Sequence, residues 1–232
     1  MGPFIIRHRP GIQARGEDTR RRILETALEI FASEGYDGAS TRQLAERAGV
    51  NLPAIQYYFG SKEGLYRAVI DSIIEATEAH MAPLSAKIKA ALASPDTPRE
   101  TLLELFCEML ESFVSLVSGG KQVESKRLLF ARAEVDDTPG IELLHESGMR
   151  QIFQPCLEMA GRLLGRSTDD PETVLRTLTL FGQVTIFCDK AVRRVLHLGE
   201  FTEERVRAIQ GVVRAHTLAV FAAAAEGGAL RI

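Results

Sequence analysis

The stretch from residue 40 to residue 64, STRQLAERAGVNLPAIQYYFGSKEG, constrains the fold more than any other part of this 232-residue chain. Ser40, followed three residues later by Gln43, forms an S-x-x-Q capping box, which predicts the start of a short helix. Gly49 falls where that helix must end in a left-handed conformation, which a residue without Cβ adopts at little cost. The stretch therefore predicts a short helix that ends in a tight turn.

Two further helix starts follow directly. Asn51 is a favourable N-cap, and Pro53 occupies a first-turn position where its missing N–H has no intrahelical partner to lose. Ser61 caps the third helix. A helix, a short turn with glycine and a second helix make up the helix-turn-helix unit, whose second member lies in the major groove of DNA.

Helical periodicity assigns sides to these helices. Leu44, Ala45 and Ala48 share one face of the first helix, and Ile55 and Phe59 can pack back on it from the second. The outward side of the second helix then carries Leu52, Gln56 and Tyr57.

The outward side chains suit contacts with bases and phosphates. Gln56 can bond adenine in a bidentate manner, and Arg42 or Gln43 can reach a base edge or a phosphate. Leu52 can touch a thymine methyl, whereas Tyr58 suits either a phosphate or the small three-helix core. The residues predicted to bind DNA are Thr41, Arg42, Gln43, Asn51, Leu52, Ala54, Gln56, Tyr57, Tyr58 and Lys62.

At these residues the chain resembles a known family. The stretches TRQLAERAGV and YYFGSKEGL, with their spacing between Ile23 and Val69, are similar to the DNA-binding region of TetR/AcrR-family one-component repressors. Two positions depart from the family pattern, since many members carry Gly or Ala at Pro53 and Glu or Asp at Gly64. The segments RLLFARAEVDDTPGIELL and GQVTIFCDKAVRRVL also resemble a CerR- or CecR-like subgroup.

The resemblance implies an all-α, two-domain fold: a three-helix helix-turn-helix domain and a larger C-terminal helical domain that binds an effector and dimerises. It implies a homodimer that binds a palindromic operator in double-stranded DNA and is released by a small molecule. The predicted divisions are a flexible basic arm (1–16), the DNA-binding domain (17–62) and the helical effector-binding and dimerisation domain (63–232).

Charge is distributed unevenly along the chain. Residues 1–62 contain nine basic and seven acidic residues, whereas the remainder contains 19 basic and 24 acidic ones. The formal net charge of -3 therefore does not exclude DNA binding, because attraction to DNA depends on the local surface.

The basic residues near the N-terminus leave alternatives open. Arg7, Arg9 and Arg15 lie in a segment without periodicity, which is either an arm that enters the minor groove or a solvated tail. A helix is predicted from Asp18 to Ser33, with Ile23, Leu24, Ala27, Leu28 and Phe31 inward. Gly35 and Gly38 are expected to end it. Its arginine run 20–22 opposes the helix dipole, which indicates either DNA phosphate as a partner or a solvated charge run.

The C-terminal part predicts a series of helices, over about 61–80, 84–93, 98–117, 121–135, 149–165, 171–197 and 202–225. Pro83 is expected to separate the first two, and Thr97 is expected to cap the third. In the fourth, Leu128, Leu129 and Val135 are expected to face inward. Broad apolar stripes with a few polar residues are usually core, but an apolar cavity with polar anchors also holds small ligands. The residues of the effector pocket that the resemblance favours are Phe106, Met109, Phe113, Arg127, Phe130, Phe153, Gln183 and Phe187.

The last two predicted helices carry small and branched side chains along one side, which allow close helix approach. The resemblance implies that this pair forms a four-helix interface with its copy; the alternative is packing within one subunit. The predicted interface residues are Leu175, Leu178, Gly182, Ile186, Ala208, Val212, Ala215 and Ala219.

Other classes of protein find little support. No G-x-S-x-G, glycine-rich phosphate loop or H-E-x-x-H motif is present, so the chain is not expected to be an enzyme. His145 with Glu146 could in principle serve acid–base chemistry, and His216 could be a ligand, but scattered histidines are usually structural or exposed.

The remaining signals favour a cytoplasmic protein without a cofactor. Three distant cysteines (Cys107, Cys156 and Cys188) fit neither a disulfide framework nor a metal site, so buried thiols are expected, with redox sensing as the alternative. No apolar stretch reaches the length of a membrane span, and no signal peptide is recognised. The alternative functions are a ligand-independent DNA-binding activator or co-regulator, and a helical protein that binds another polyanion.

Overall fold

A computed structural model describes residues 10–119, 121–136, 138, 142 and 150–225. The regular structure within these ranges is helical, which confirms the predicted all-α fold class. None of the described helices combines the length and the apolar character needed to cross a membrane. The elements are α1 (Pro10–Gly38), α2 (Thr41–Arg47), α3 (Leu52–Phe59), α4 (Lys62–Ala93), α5 (Arg99–Val117), α6 (Lys121–Asp136), α7 (Arg150–Leu164), α8 (Pro171–Thr185), a 3-10 turn (Ile186–Cys188), α9 (Lys190–Val195) and α10 (Glu203–Ala225).

The helices belong to two compact units. The first contains the described residues of Met1–Ile73 and Ser125–Leu143, and the second contains those of Ile74–Glu124 and Leu144–Ile232. The units therefore divide within α4 and within α6. The predicted division of functions at residue 62 stays a prediction, because compactness alone does not report function.

The core of the first unit forms around α1 and the first part of α4. All five residues predicted to face inward from α1 are buried, among them Phe31, which is fully enclosed. The rings of Phe31 and Tyr66 meet edge to face with centroids 4.9 Å apart. The Tyr66 hydroxyl shares a 3.0 Å hydrogen bond with the Thr138 hydroxyl, and Leu129 of α6 is buried as well. The first unit thus includes a segment from the middle of the chain.

Helix α1 begins earlier than the sequence predicted. It starts at Pro10 instead of Asp18, so residues 10–16 of the predicted flexible arm are helical. A proline fits this start, because φ is already suitable for a helix and the first N–H groups have no intrahelical acceptor. Gly35, at φ 80°, interrupts the helix near its end, as predicted. Arg7 and Arg9 lie outside the described residues.

The core of the second unit is built on α5, which packs against α7, α8 and α10. The apolar stripe predicted for α5 is largely confirmed, since Leu102, Phe106, Met109, Leu110 and Val114 are buried. Residues of the other helices complete this core; they include Met81, Ile88, Cys156, Met159, Leu163, Leu180, Phe181, Val184, Ile209, Val213 and Phe221.

Two predictions around α4 were wrong. Pro83 does not end the helix, because Met81 and Ile88 on either side of it are buried in the same core, which outweighs one missing backbone hydrogen bond. Thr97 does not cap α5. Its hydroxyl donates to the carbonyl of Ala91 at 2.6 Å and so satisfies the end of α4.

Two further helices differ from the prediction. The single helix expected over 171–197 is interrupted at the 3-10 turn, because the Asp189 side chain accepts the Val192 N–H and starts α9. In α6, the buried side follows Leu129 and Ala133. Leu128 and Val135, which were predicted to face inward, lie off this side and are exposed.

Candidate nucleic-acid interface

The start of α2 forms half of the predicted capping box. The Ser40 Oγ accepts the Gln43 N–H at 3.2 Å, which confirms the cap. A full capping box also requires the Gln43 side chain to accept the Ser40 N–H, and Gln43 does not do so. Its amide instead donates to the Glu34 carboxylate at 2.6 Å and ties α2 to α1.

The turn between α2 and α3 has the predicted geometry. Gly49 has φ 65°, and the Val50 N–H donates to the Ala45 carbonyl at 3.0 Å, so the end of α2 is closed by a left-handed glycine. The Asn51 Oδ1 accepts the Ala54 N–H at 3.1 Å and caps α3. The helix-turn-helix geometry predicted from the sequence is therefore present.

Replacing this cap should weaken the first unit measurably. We expect Asn51→Ala to lower the free energy of unfolding by about 1 kcal/mol, because the backbone N–H of Ala54 loses the Asn51 oxygen as its acceptor. Denaturant unfolding followed by tyrosine fluorescence reads the effect locally, since all four tyrosines (Tyr36, Tyr57, Tyr58 and Tyr66) belong to the first unit and the chain has no tryptophan. Asn51→Asp keeps the acceptor and should preserve stability; an equal loss in both variants would contradict the capping role.

The two sides of α3 differ sharply in exposure. Ile55 is 2% exposed, whereas Leu52 is 50% and Tyr57 is 82% exposed. Gln56 is also exposed, and Ala54 is half-buried. This eight-residue helix follows a tight turn and leaves an aromatic ring in solvent, so its outward side is available to a partner.

A second exposed surface lies on α8 and α10 of the second unit. All eight residues of the predicted interface are exposed in the single chain, including Leu175 at 48% and Leu178 at 50%. A Cβ added at Gly182 or Gly211 would meet no atom within 4 Å. Packing among the described residues therefore leaves this side uncovered. We call the predicted residues together with Gly211 and the exposed Leu218 the α8–α10 face.

Comparison with protein families identifies the fold. Residues 23–69 match the family model described as bacterial regulatory proteins, tetR family. Residues 102–224 match the C-terminal domain of the HTH-type transcriptional dual regulator CecR, which is more than half of the chain. The chain belongs to the tetR family. This tetR-family protein is a DNA-binding transcriptional regulator and not an enzyme, and its similarity to the CecR-like subgroup is confirmed.

Individual relatives agree with this assignment. The dual regulator CecR of Shigella flexneri is 26% identical over 209 residues, which cover 89% of this chain and 93% of the relative. The repressor NicS of Pseudomonas putida is 34% identical over 105 residues, or 45% of this chain and 46% of that protein. A TetR-like regulator from Rhodococcus sp. RHA1 shares the fold with a TM-score of 0.57 at 22% identity, covering 88% and 96% of the two chains.

Some predicted DNA contacts of this tetR-family regulator also have partners within the chain. The Lys62 ammonium donates to the Ala39 carbonyl at 2.9 Å and lies 4.4 Å from the centre of the Tyr36 ring. An ammonium has three N–H donors, so a phosphate can still bind the others. Tyr58 is half-buried beside Tyr57, with ring centroids 5.0 Å apart. Arg42 is exposed and Thr41 is half-buried, so both can reach a ligand outside the chain.

The arginine run of α1 contributes to packing, which the sequence did not predict. The Arg22 guanidinium donates to the Ala48 carbonyl at 3.0 Å and holds the end of α2. Arg21 pairs with Asp18 at 3.1 Å, and Arg20 lies 5.6 Å from the centre of the Phe59 ring. Local partners therefore account for the placement of all three side chains.

Five of the residues predicted for the effector pocket lie in or against the core of the second unit. Phe106 and Met109 are fully buried core residues of the second unit. Phe113 and Phe153 pack on Phe181, with ring centroids 5.1 and 4.7 Å away, and Phe187 packs against the same core. Arg127 and Phe130 are half-buried residues of the first unit.

The remaining predicted pocket residue, Gln183, borders an open cleft on the α8–α10 side. The cleft has a volume of about 380 Å³ and a largely apolar lining. Its lining residues are Thr179, Leu180, Gln183, His216, Ala219 and Val220. His216, named above as a histidine that could be a ligand, therefore borders the same space as Gln183.

The described cysteines are buried, as expected. Burial raises the pKa of the Cys107 thiol to about 11 and raises that of Cys156 still further. Both thiols stay protonated at neutral pH, which disfavours redox sensing. The side chain of Cys188 and both His145 and Glu146 lie outside the described part of the chain.

Proposed function

We propose that this regulator is a homodimeric repressor that binds a palindromic operator through α3 and is released by a small-molecule effector. The observation that carries the proposal is the outward side of α3, where Leu52, Gln56 and Tyr57 are exposed opposite the buried Ile55. A recognition helix needs this arrangement, because its inner side must hold the unit together while its outer side meets base edges.

Specific roles follow from the chemistry of the exposed groups. Gln56 can pair with the N6 and N7 groups of adenine, and Leu52 can contact a thymine methyl. Arg42 and Tyr57 suit phosphate oxygens, which set the position of the protein without reading sequence. The protein would act in the cytoplasm, where its DNA is.

Removing the proposed base contact should relax specificity at one position. We expect Gln56→Ala to reduce discrimination at a single base pair of each half-site by about 1–3 kcal/mol and to leave the remaining positions unchanged. Competition binding with all single-base variants of the operator measures this profile. Gln122→Ala, at an exposed glutamine of α6, is the matched control. An equal loss of affinity for every sequence would refute the base contact.

Dimerisation is proposed through the α8–α10 face. It is typical of the family, and the face offers exposed leucines, open glycines and alanines that allow close helix approach. Two recognition helices must also meet half-sites one duplex turn apart, about 34–36 Å, which a twofold dimer can set.

Release by an effector would be a linkage between two sites. A ligand that favours one spacing of the recognition helices weakens operator binding, and the operator weakens ligand binding by the same factor, typically about 5–150-fold. Thermal shift with and without operator DNA tests this reciprocity for candidate ligands. An operator-controlled reporter promoter separates repression from activation, because repression lowers its transcription and activation raises it.

A further inference from the structure

The end of α2 is held from α1 by the side chain of Arg22. Its Nε–H donates to the Ala48 carbonyl at 3.0 Å, across 26 positions of sequence. Ala48 is the C-cap of α2, so its carbonyl is among those at the end of a helix that no intrahelical N–H can reach. A guanidinium suits this place, because the helix dipole brings partial negative charge there and the hydrogen bond is charge-assisted.

This hydrogen bond lies where the direction of α3 is decided. Ala48 directly precedes Gly49, whose φ of 65° turns the chain from α2 towards α3. The other described hydrogen bonds of residues 48–51 run to α2 or to the first turn of α3. A Cβ added at Gly49 would meet no atom within 4 Å. Among the described hydrogen bonds, that of Arg22 therefore ties this turn to another helix.

Helix α1 also contacts the opposite end of α3. The Arg20 guanidinium lies 5.6 Å from the centre of the Phe59 ring. A Cβ added at Gly16 would lie 3.7 Å from the Tyr58 hydroxyl, so the backbone of α1 passes close to that ring. Contacts with α1 therefore hold both ends of α3, and the Arg22 hydrogen bond holds the end at which α3 begins.

We propose that Arg22 is a positioning residue for base reading, because its bond to the Ala48 carbonyl fixes the angle at which α3 meets the bases. The inference rests on the proposed reading of bases by α3. Hydrogen bonds keep their strength over only about 0.5 Å of donor–acceptor distance. A turn released from α1 should therefore disturb the contacts of Leu52 and Gln56 together, whereas loss of one base contact affects one position.

The base preferences of Arg22→Met test this role. Methionine keeps an apolar stem but removes both the donor and the charge. We expect the ratio of dissociation constants between single-base variants and the operator to fall about fivefold to tenfold at two or more positions of each half-site. A smaller folded fraction cannot produce this result, because it weakens apparent binding to every duplex by the same factor.

Arg22→Gln separates the hydrogen bond from the charge. The Nε2 of glutamine lies as many bonds from Cα as the Nε of arginine, so it offers an N–H donor at the same distance along the side chain without the positive charge. We expect this variant to keep most of the wild-type base preferences. The matched control is Arg21→Met, which removes the same charge at the next position of α1, where the arginine pairs with Asp18 of its own helix. It should leave the preferences unchanged.

An equal loss of affinity for all duplexes in Arg22→Met would overturn the proposal. If the salt slope also fell by about 1 in Arg22→Met and not in Arg21→Met, Arg22 would be a phosphate contact instead. Preferences as relaxed in Arg22→Gln as in Arg22→Met would likewise reject the hydrogen bond as the cause. If Arg22→Met does not fold, Arg22→Leu replaces it. Wild-type protein without any base preference would reject base reading by α3 itself.

Discussion

Leu178→Asp should convert the protein into a monomer and lower its affinity for a complete operator by roughly 10²–10⁴-fold. Leu178 is half exposed on the α8–α10 face. In the proposed dimer, an aspartate there would be buried without a partner, which costs several kcal/mol, and the twofold axis repeats the cost. A loss of about 4 kcal/mol corresponds to about a thousandfold in the dimer dissociation constant.

Sedimentation equilibrium measures the dimer, and titration of labelled operator duplex measures the binding. Val135→Asp is the matched control, because Val135 is an exposed valine of the first unit that no proposal places in an interface. It should leave both quantities unchanged. A Leu178→Asp protein that stays dimeric at the wild-type dissociation constant would show that the subunits meet elsewhere.

Phe31→Ala should remove about 3–5 kcal/mol from the stability of the first unit and abolish DNA binding at 37 °C. Phe31 is fully buried, and its ring packs edge to face on Tyr66 and stacks near Tyr36, with centroids 4.9 and 6.2 Å away. Truncation to alanine leaves a cavity between α1 and α4 that the close neighbours cannot fill without moving.

Tyrosine fluorescence isolates this effect, because the four tyrosines report on the first unit alone. The midpoint of its denaturant transition should fall strongly in Phe31→Ala and much less in Phe31→Leu, which keeps most of the volume. A tyrosine transition that shifts by less than about 1 kcal/mol in the alanine variant would contradict the central position of Phe31.

Sequence patterns predicted the features of this chain that depend on neighbours within about one helical turn. Ser40, Gly49 and Asn51 cap or end helices through contacts with residues three to five positions away, and all three do so in the structure. The inward side of α1 and the exposed sides of α3, α8 and α10 follow from helical periodicity in the same way.

The features that the sequence did not reveal depend on residues far apart in sequence. Arg22 binds the carbonyl of Ala48, 26 positions away, so the arginine run could not be interpreted from its own composition. Tyr66 meets Thr138 across 72 positions, and the sequence contains no local signal that α6 belongs partly to the first unit. The pairing of Gln183 with His216 likewise depends on how α8 and α10 pack.

The predicted effector pocket also depends on contacts between residues far apart in sequence. Aromatic residues spaced along helices predict an apolar interior, but whether that interior is filled or open depends on the rings that meet there. Phe113 and Phe153 both pack on Phe181, and helical periodicity does not predict this contact between helices. An open cleft borders Gln183, at the edge of the α8–α10 face, and the predicted pocket stays a prediction.

Selection of bound duplexes from a random pool, at physiological salt, tests the outward side of α3 and the twofold pairing of subunits together. We expect a palindromic consensus whose half-sites are separated by one duplex turn or a multiple of it. The Gln56→Ala protein should lose one symmetric pair of positions from that consensus. Recovery of a single unpaired motif, or of duplexes without any common sequence, would contradict sequence reading by a dimer of recognition helices.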